Sequence, residues 1–130
     1  MGCLFTARLC AAGVTTTLVD YRPERMSRLQ KTGIVVQSAQ GEFTAKPSVA
    51  QRVPVGMDLV VVFVKSGTTN KLQFPENVPV LTLQNGLNNA EILSSKIGSA
   101  RLMAGVTTEA ATLLEEGKVR HAAAGKTVFG

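Results

Sequence analysis

A chain of 130 residues with 45% hydrophobic and 18% charged residues has the length of one domain and the balance of a globular chain rather than a disordered one. The net charge of +5 is scattered, and one Tyr with no Trp leaves none of the aromatic-basic interleaving of a nucleic-acid binder. The longest apolar run, residues 59–64, falls far short of the roughly 18 residues of a membrane span, so neither nucleic acid nor a membrane is expected as a partner.

Residues 2–13 predict a helix with its C-terminal glycine, and residues 14–20 predict a strand that ends in Asp20. That order is the second half of a βαβ dinucleotide-binding unit. A complete unit has a strand and a G-x-G-x-x-G turn ahead of the helix, with an acid roughly 20 residues on. Gly2 stands in the place of the third glycine and Asp20 in that of the ribose acid. The expectation is a fragment in which the first strand is lacking.

Cys3 and Cys10 lie two turns apart on this helix, too far for a disulfide, and with no C-x-x-C or His/Cys cluster no zinc site is indicated. Two small buried thiols in a reducing cytoplasm are expected. Residues 1–6 also fit the myristoylation pattern, but they fit an amphipathic helix start equally well. Arg8 interrupts the apolar stretch that a signal peptide would need.

Pro23 suits the first turn of a second helix that runs to residue 32 and stops at Gly33. Arg22, Arg25, Arg28 and Lys31 form the one local basic cluster, either a solvated helix face or an attraction for nucleotide phosphates. Residues 34–36 and 42–45 pair as a hairpin about a polar turn, and residues 47–56 are a connection rich in Pro and Val. Residues 57–64 make the strongest strand, continuously apolar from Leu59 as a strand covered on both faces should be. Residues 68–74 have room only for a short helix. Residues 78–83 are a buried strand, Asn88 or Asn89 caps a helix over residues 90–97, and residues 101–106 are a further strand. A hairpin turning at residues 115–118 and a last strand at residues 127–130 complete a single α/β domain over residues 1–130, mainly parallel with an antiparallel tail.

In an open α/β sheet, ligands bind outside the carboxyl ends of the strands. Here those ends carry Asp20, Lys65 with Ser66, and Gln84 with Asn85 and Gly86. A lysine and an asparagine closing two apolar strands are unusual choices if packing alone mattered. Four motifs follow one another in order: Val62-Phe63-Val64-Lys65-Ser66, Leu83-Gln84-Asn85-Gly86-Leu87, Gly105-Val106-Thr107-Thr108-Glu109-Ala110-Ala111 and His121-Ala122-Ala123-Ala124-Gly125. Over essentially the whole chain this set resembles the nucleotide-binding half of the ketopantoate reductase (2-dehydropantoate 2-reductase) family.

The resemblance implies a Rossmann-like fold and an NADP-dependent oxidoreductase of pantothenate biosynthesis that reduces a small 2-keto acid to the 2-hydroxy acid. It implies cofactor contacts from Met1 and Gly2 at the phosphate loop, from Asp20 or Arg22 at the adenosine ribose, and from Lys65, Asn85 and Ala111. Asn85 would also touch the substrate. Asp20 suits an unphosphorylated ribose and so leaves NAD open beside NADP, whereas Arg22 can pair with a 2′-phosphate. The family's general-acid lysine belongs to a C-terminal helical domain with no counterpart in these motifs, so this chain alone is expected not to turn over. A non-catalytic nucleotide-binding module or sensor on the same fold stays open. Gly125-Lys126-Thr127 is no P-loop, because Arg120 stands where that motif needs glycine. For His121 a structural role is expected.

Overall fold

A computed structural model describes residues 1–130, the side chain of Leu87 excepted. The chain divides into two compact units, one of residues 1–52 and 109–125, the other of residues 53–108 and 126–130.

The first unit opens with helix α1 (Gly2–Ala11), and Gly13, at φ 85°, turns the chain out of it. Strand β1 (Thr17–Val19) is only three residues long, shorter than the seven expected; ahead of these three, the Thr16 carbonyl accepts a single bond from the Ser48 amide at 3.2 Å. Helix α2 (Pro23–Thr32) begins on its proline and ends at Gly33. Gly33 sits at φ 71°, and a Cβ there would lie 2.5 Å from the carbonyl oxygen of Ala45, so backbone angle and close approach both demand glycine. Strands β2 (Ile34–Ser38) and β3 (Gly41–Ala45) form the expected antiparallel hairpin. Strand β4 (Ser48–Ala50) lies within the Pro- and Val-rich connection, for which no strand was expected. It pairs in parallel with β1, and nothing in a three-residue segment beside Pro47 announces that pairing.

Later in the chain, β8 (Ala110–Glu115) and β9 (Lys118–Ala123) form the predicted hairpin, and β9 runs parallel to β2 to give the order β3-β2-β9-β8. The core of this unit is Cys3, Leu4 and Ala7 of α1, Leu29 of α2, Ile34 and Val36 of β2, Ala45 of β3 and Val119 of β9. Cys3 is buried as expected, Cys10 is only half-buried, and both thiols are free.

The second unit is a four-stranded sheet in the order β10-β7-β6-β5, made from β5 (Val60–Val62), β6 (Val80–Thr82), β7 (Leu102–Thr107) and β10 (Thr127–Phe129). Strands β5, β6 and β7 are parallel, and β10 is the antiparallel addition. The apolar run 57–64 yields only three strand residues, and they lie at the sheet edge, with Leu59 exposed and only Val62 buried. Strand β6 is buried throughout. A 3-10 helix, Ser66–Lys71, fills the short β5–β6 crossover. Helix α3 (Leu87–Ile97) starts three residues earlier than expected and takes Gly86 as its N-cap, with no side-chain cap. Asn89 is therefore not the cap; its amide is used inside the structure. Arg101 closes the crossover by donating to the carbonyls of Pro75 (2.7 Å) and Val78 (2.9 and 3.1 Å).

Candidate functional site

In the first unit, Asp20 directly follows β1, and its amide donates to the carbonyl of Ala50 at 3.0 Å, which holds the turn on the line of the sheet. Oδ1 of Asp20 accepts from the Arg22 backbone amide (3.0 Å) and from Arg22 Nε (3.2 Å), and Oδ2 accepts from Arg22 Nη2 (3.3 Å). Nη1 of Arg25 stands 3.0 Å from the same Oδ2. Burial pushes the Asp20 carboxyl upward, but the hydrogen bonds of Arg22 and the charge of Arg25 outweigh it and hold the group below the usual carboxylate value.

The two arginines are not alike. The Arg22 side chain is 45% exposed, whereas that of Arg25 is 18% exposed. The Arg22 guanidinium also lies 5.7 Å from the centroid of the exposed Tyr21 ring. Arg25 donates from Nη2 to Cys3 Sγ at 3.4 Å in the first turn of α1, and its buried Nε has no hydrogen-bond partner. Two guanidiniums around one carboxylate leave an excess of positive charge where β1 ends and α1 starts.

Helix α1 adds to that excess. Met1 is its N-cap, its first turn holds no acidic residue, and its first internal bond runs from the Phe5 amide to the Met1 carbonyl. Amides ahead of Phe5 are the unsatisfied donors of a helix start, where an anion is favoured. These residues fit the anionic part of a dinucleotide.

Elsewhere in the first unit, Ala111 is half-buried and packs against the core. His121, for which only a structural role was expected, has its Nε2 2.5 Å from Glu109 Oε2, and Arg8 Nη1 reaches Glu109 Oε1 at 2.9 Å. This ties α1 to β9 through a carboxylate whose side chain is 9% exposed. Burial raises the Glu109 carboxyl, yet the hydrogen bonds of His121 and Arg8 win and keep it below its usual value. No local sequence pattern announces this pairing of Glu109, whose partners lie 101 and 12 residues away. Two open hollows, of about 510 Å³ beside Gln37, Glu42, Arg120 and His121 and about 310 Å³ beside Phe5, Arg8, Leu9 and Glu109, are lined by none of the expected cofactor residues.

In the second unit, Lys65 and Asn85 stand just past β5 and β6, and both are exposed. Neither side chain makes a hydrogen bond or ion pair among the described residues, and the backbone carbonyl of Asn85 accepts from Asn89. Asp20, Arg22 and Gly2 thus belong to one unit, Lys65 and Asn85 to the other. Among the described residues no group of three or more His, Cys, Asp or Glu is placed to hold a metal ion, and no helix is long and apolar enough to cross a membrane.

Parallel strands that carry their polar residues at their carboxyl ends place the chain in the Rossmann-like class of α/β proteins. The family model for ketopantoate reductase, PanE/ApbA, matches residues 1–130, and the chain belongs to that family. It is 36% identical, over its whole length, to a 2-dehydropantoate 2-reductase of Halobacterium salinarum, of which it covers 46%. The structure of a PanE/ApbA family ketopantoate reductase from Ralstonia eutropha JMP134 superposes with a TM-score of 0.82 at 28% identity, covering 96% of this chain and 44% of that one. A D-mandelate dehydrogenase solved with NADH and anilino(oxo)acetate has the same fold, with a TM-score of 0.87 at 22% identity over 97% of this chain and 43% of that one. The chain spans about half the length of the relatives that it matches.

Proposed function

We propose that this chain is the cofactor-binding part of an NADP-dependent reductase of 2-keto acids, 2-dehydropantoate or a close analogue, in pantothenate biosynthesis. Family membership supports an oxidoreductase. The observation that carries the cofactor assignment is Arg25, which joins Asp20 at the end of β1 to Cys3 at the start of α1. A dinucleotide's ribose and phosphates need those two places together.

Gly2 and the first amides of α1 would face the pyrophosphate, with Met1 beside them. Asp20 and Arg22 would meet the adenosine ribose. Because Arg22 and Arg25 together outweigh the charge of the Asp20 carboxylate, a 2′-phosphate would meet net positive charge, which favours NADP over NAD. Lys65 and Asn85 would serve the nicotinamide end, Lys65 as a cation toward an acidic substrate and Asn85 as an amide between ribose and keto acid. Ala111 would leave room for the ring. A bound nicotinamide would supply hydride chemistry toward the ketone carbon, and the oxygen of that ketone would need a proton donor. By resemblance that donor is a lysine in the half of the relatives that this chain does not span. Two free thiols suit a reducing, cytoplasmic setting.

Titrating the purified chain with NADPH and NADH, followed by nucleotide fluorescence, tests this. NADPH is expected to bind more tightly. Arg22→Ala should weaken NADPH about tenfold, the size of one lost charged hydrogen bond, and NADH far less. Equal affinity for the two nucleotides would remove the 2′-phosphate assignment, and no binding of either would remove the function.

A further inference from the structure

The second unit contains a buried polar chain that the proposed cofactor contacts do not use. Thr69 of the 3-10 helix is 0% exposed, and Thr82 at the end of β6 and Asn89 in α3 are each 3% exposed. Gln84 Nε2 donates to the carbonyl of Val64 (2.6 Å) and to Thr69 Oγ1 (2.9 Å). Thr69 Oγ1 donates to Asn89 Oδ1 (3.1 Å), and Asn89 Nδ2 donates to the carbonyl of Asn85 (2.9 Å). At the other end, Thr82 Oγ1 accepts from the Gln84 backbone amide (3.3 Å) and donates to Gln84 Oε1 (3.1 Å).

Chemistry allows only one direction along this chain. The carbonyls of Val64 and Asn85 accept and cannot donate, so the nitrogens of Gln84 and Asn89 must face them. Asn89 then turns its oxygen to Thr69, whose one proton goes there, and Thr69 must accept from Gln84. Both hydrogens of the Gln84 amide and the single hydroxyl proton of Thr69 are spent. Gln84 is half-buried, but a network satisfied in this way resists a shift of its buried members, because a displaced Thr69 or Asn89 would be left unpaired away from water.

Its two termini carry the meaning. The carbonyl of Val64 immediately precedes Lys65, and the other carbonyl is that of Asn85 itself. The exposed side chains of Lys65 and Asn85 have no anchor of their own among the described residues. Their backbones are instead pinned, through Gln84, Thr69 and Asn89, to one rigid chain of bonds. We propose that Thr69, Gln84 and Asn89 are positioning residues that lock the carboxyl ends of β5 and β6 and thereby present Lys65 and Asn85 to a ligand. The ligand's identity rests on the nicotinamide-dinucleotide function proposed above.

Thr69→Val keeps the shape of the side chain and removes the hydroxyl; Thr69→Ser keeps the hydroxyl. Two readouts on the full chain separate the ideas: backbone order parameters at residues 65, 66, 85 and 86, and the Kd for NADPH. In Thr69→Val the order parameters at both turns should fall from about 0.85 toward about 0.6, with the rest of the sheet unchanged and the Kd raised about tenfold. Thr69→Ser should restore both. Should Thr69→Val fail to fold, Thr82→Val removes the hydroxyl that orients Gln84 from within a strand that favours valine, and should loosen the same two turns. Turns as ordered in the valine variants as in the wild type would overturn the proposal, as would a serine variant no better than Thr69→Val. A wild-type chain that binds neither NADPH nor NADH, but whose turns loosen in Thr69→Val and recover in Thr69→Ser, would defeat the dinucleotide function and leave the locking chain standing.

Discussion

Asp20 shows how a single side chain takes its character from its neighbours. In the sequence it is the acid that closes a strand, the sign of an unphosphorylated ribose. In the folded chain it is enclosed by Arg22 and Arg25 and held ionised below its usual range. Glu109, under His121 and Arg8, is held the same way. A carboxylate whose pKa is lowered on folding stabilises the fold fully above its unfolded value, and that contribution is lost as the pH falls through the lowered value. The urea midpoint should therefore be level near neutrality and drop below the ordinary Asp20 value of 3.8. Asp20→Asn should show a shallower drop over that acid range. A variant whose acid profile matches the wild type would mean that Arg22 and Arg25 contribute nothing through Asp20.

Among the elements, α1 is anchored along one face and open at its start. Its inner face, Cys3, Leu4 and Ala7, is buried in the core of the first unit, while its free amides open beside Asp20 and Arg25. Leu4 is fully buried. Leu4→Ala removes apolar contact and leaves a cavity, an expected loss of about 2–5 kcal/mol by urea denaturation. A loss below about 1 kcal/mol would show that the helix is not anchored through that face. Element existence was legible where a local signal was strong. Pro23 and Gly33 bracket α2, and the Glu-Glu-Gly-Lys turn at residues 115–118 marked the β8–β9 hairpin. Strand β4 and the early start of α3 were not legible. The first depends on a parallel partner 31 residues away in sequence, Thr17 with Ser48, and the second on Asn89 being drawn into a buried network.

At the scale of the whole chain, the net charge of +5 is a field rather than a fold. Its sharpest expression is the pair of arginines at the end of β1. A nucleotide with an extra phosphate should feel that field more than one without. Raising ionic strength from about 50 mM to about 500 mM shortens the screening length severalfold. It should weaken NADPH binding by more than it weakens NADH binding. Parallel loss for the two, followed by nucleotide fluorescence, would place the 2′-phosphate away from Arg22 and Arg25.

Taken alone, the order of residues determined the α/β class, most of the helix and strand succession and the residues at the strand ends, because these follow from periodicity, turn chemistry and the apolar character of neighbouring positions. It also placed Lys65 and Asn85 just past two apolar strands. Only the tertiary structure decided that the Asp20 carboxylate is paired with two guanidiniums, that the strand at residues 60–62 is an edge, and that Thr69, Gln84 and Asn89 form one largely buried chain of bonds. Those outcomes depend on which side chains and strands meet once the chain has folded, whether they are five residues apart, as Asp20 and Arg25 are, or twenty, as Thr69 and Asn89 are.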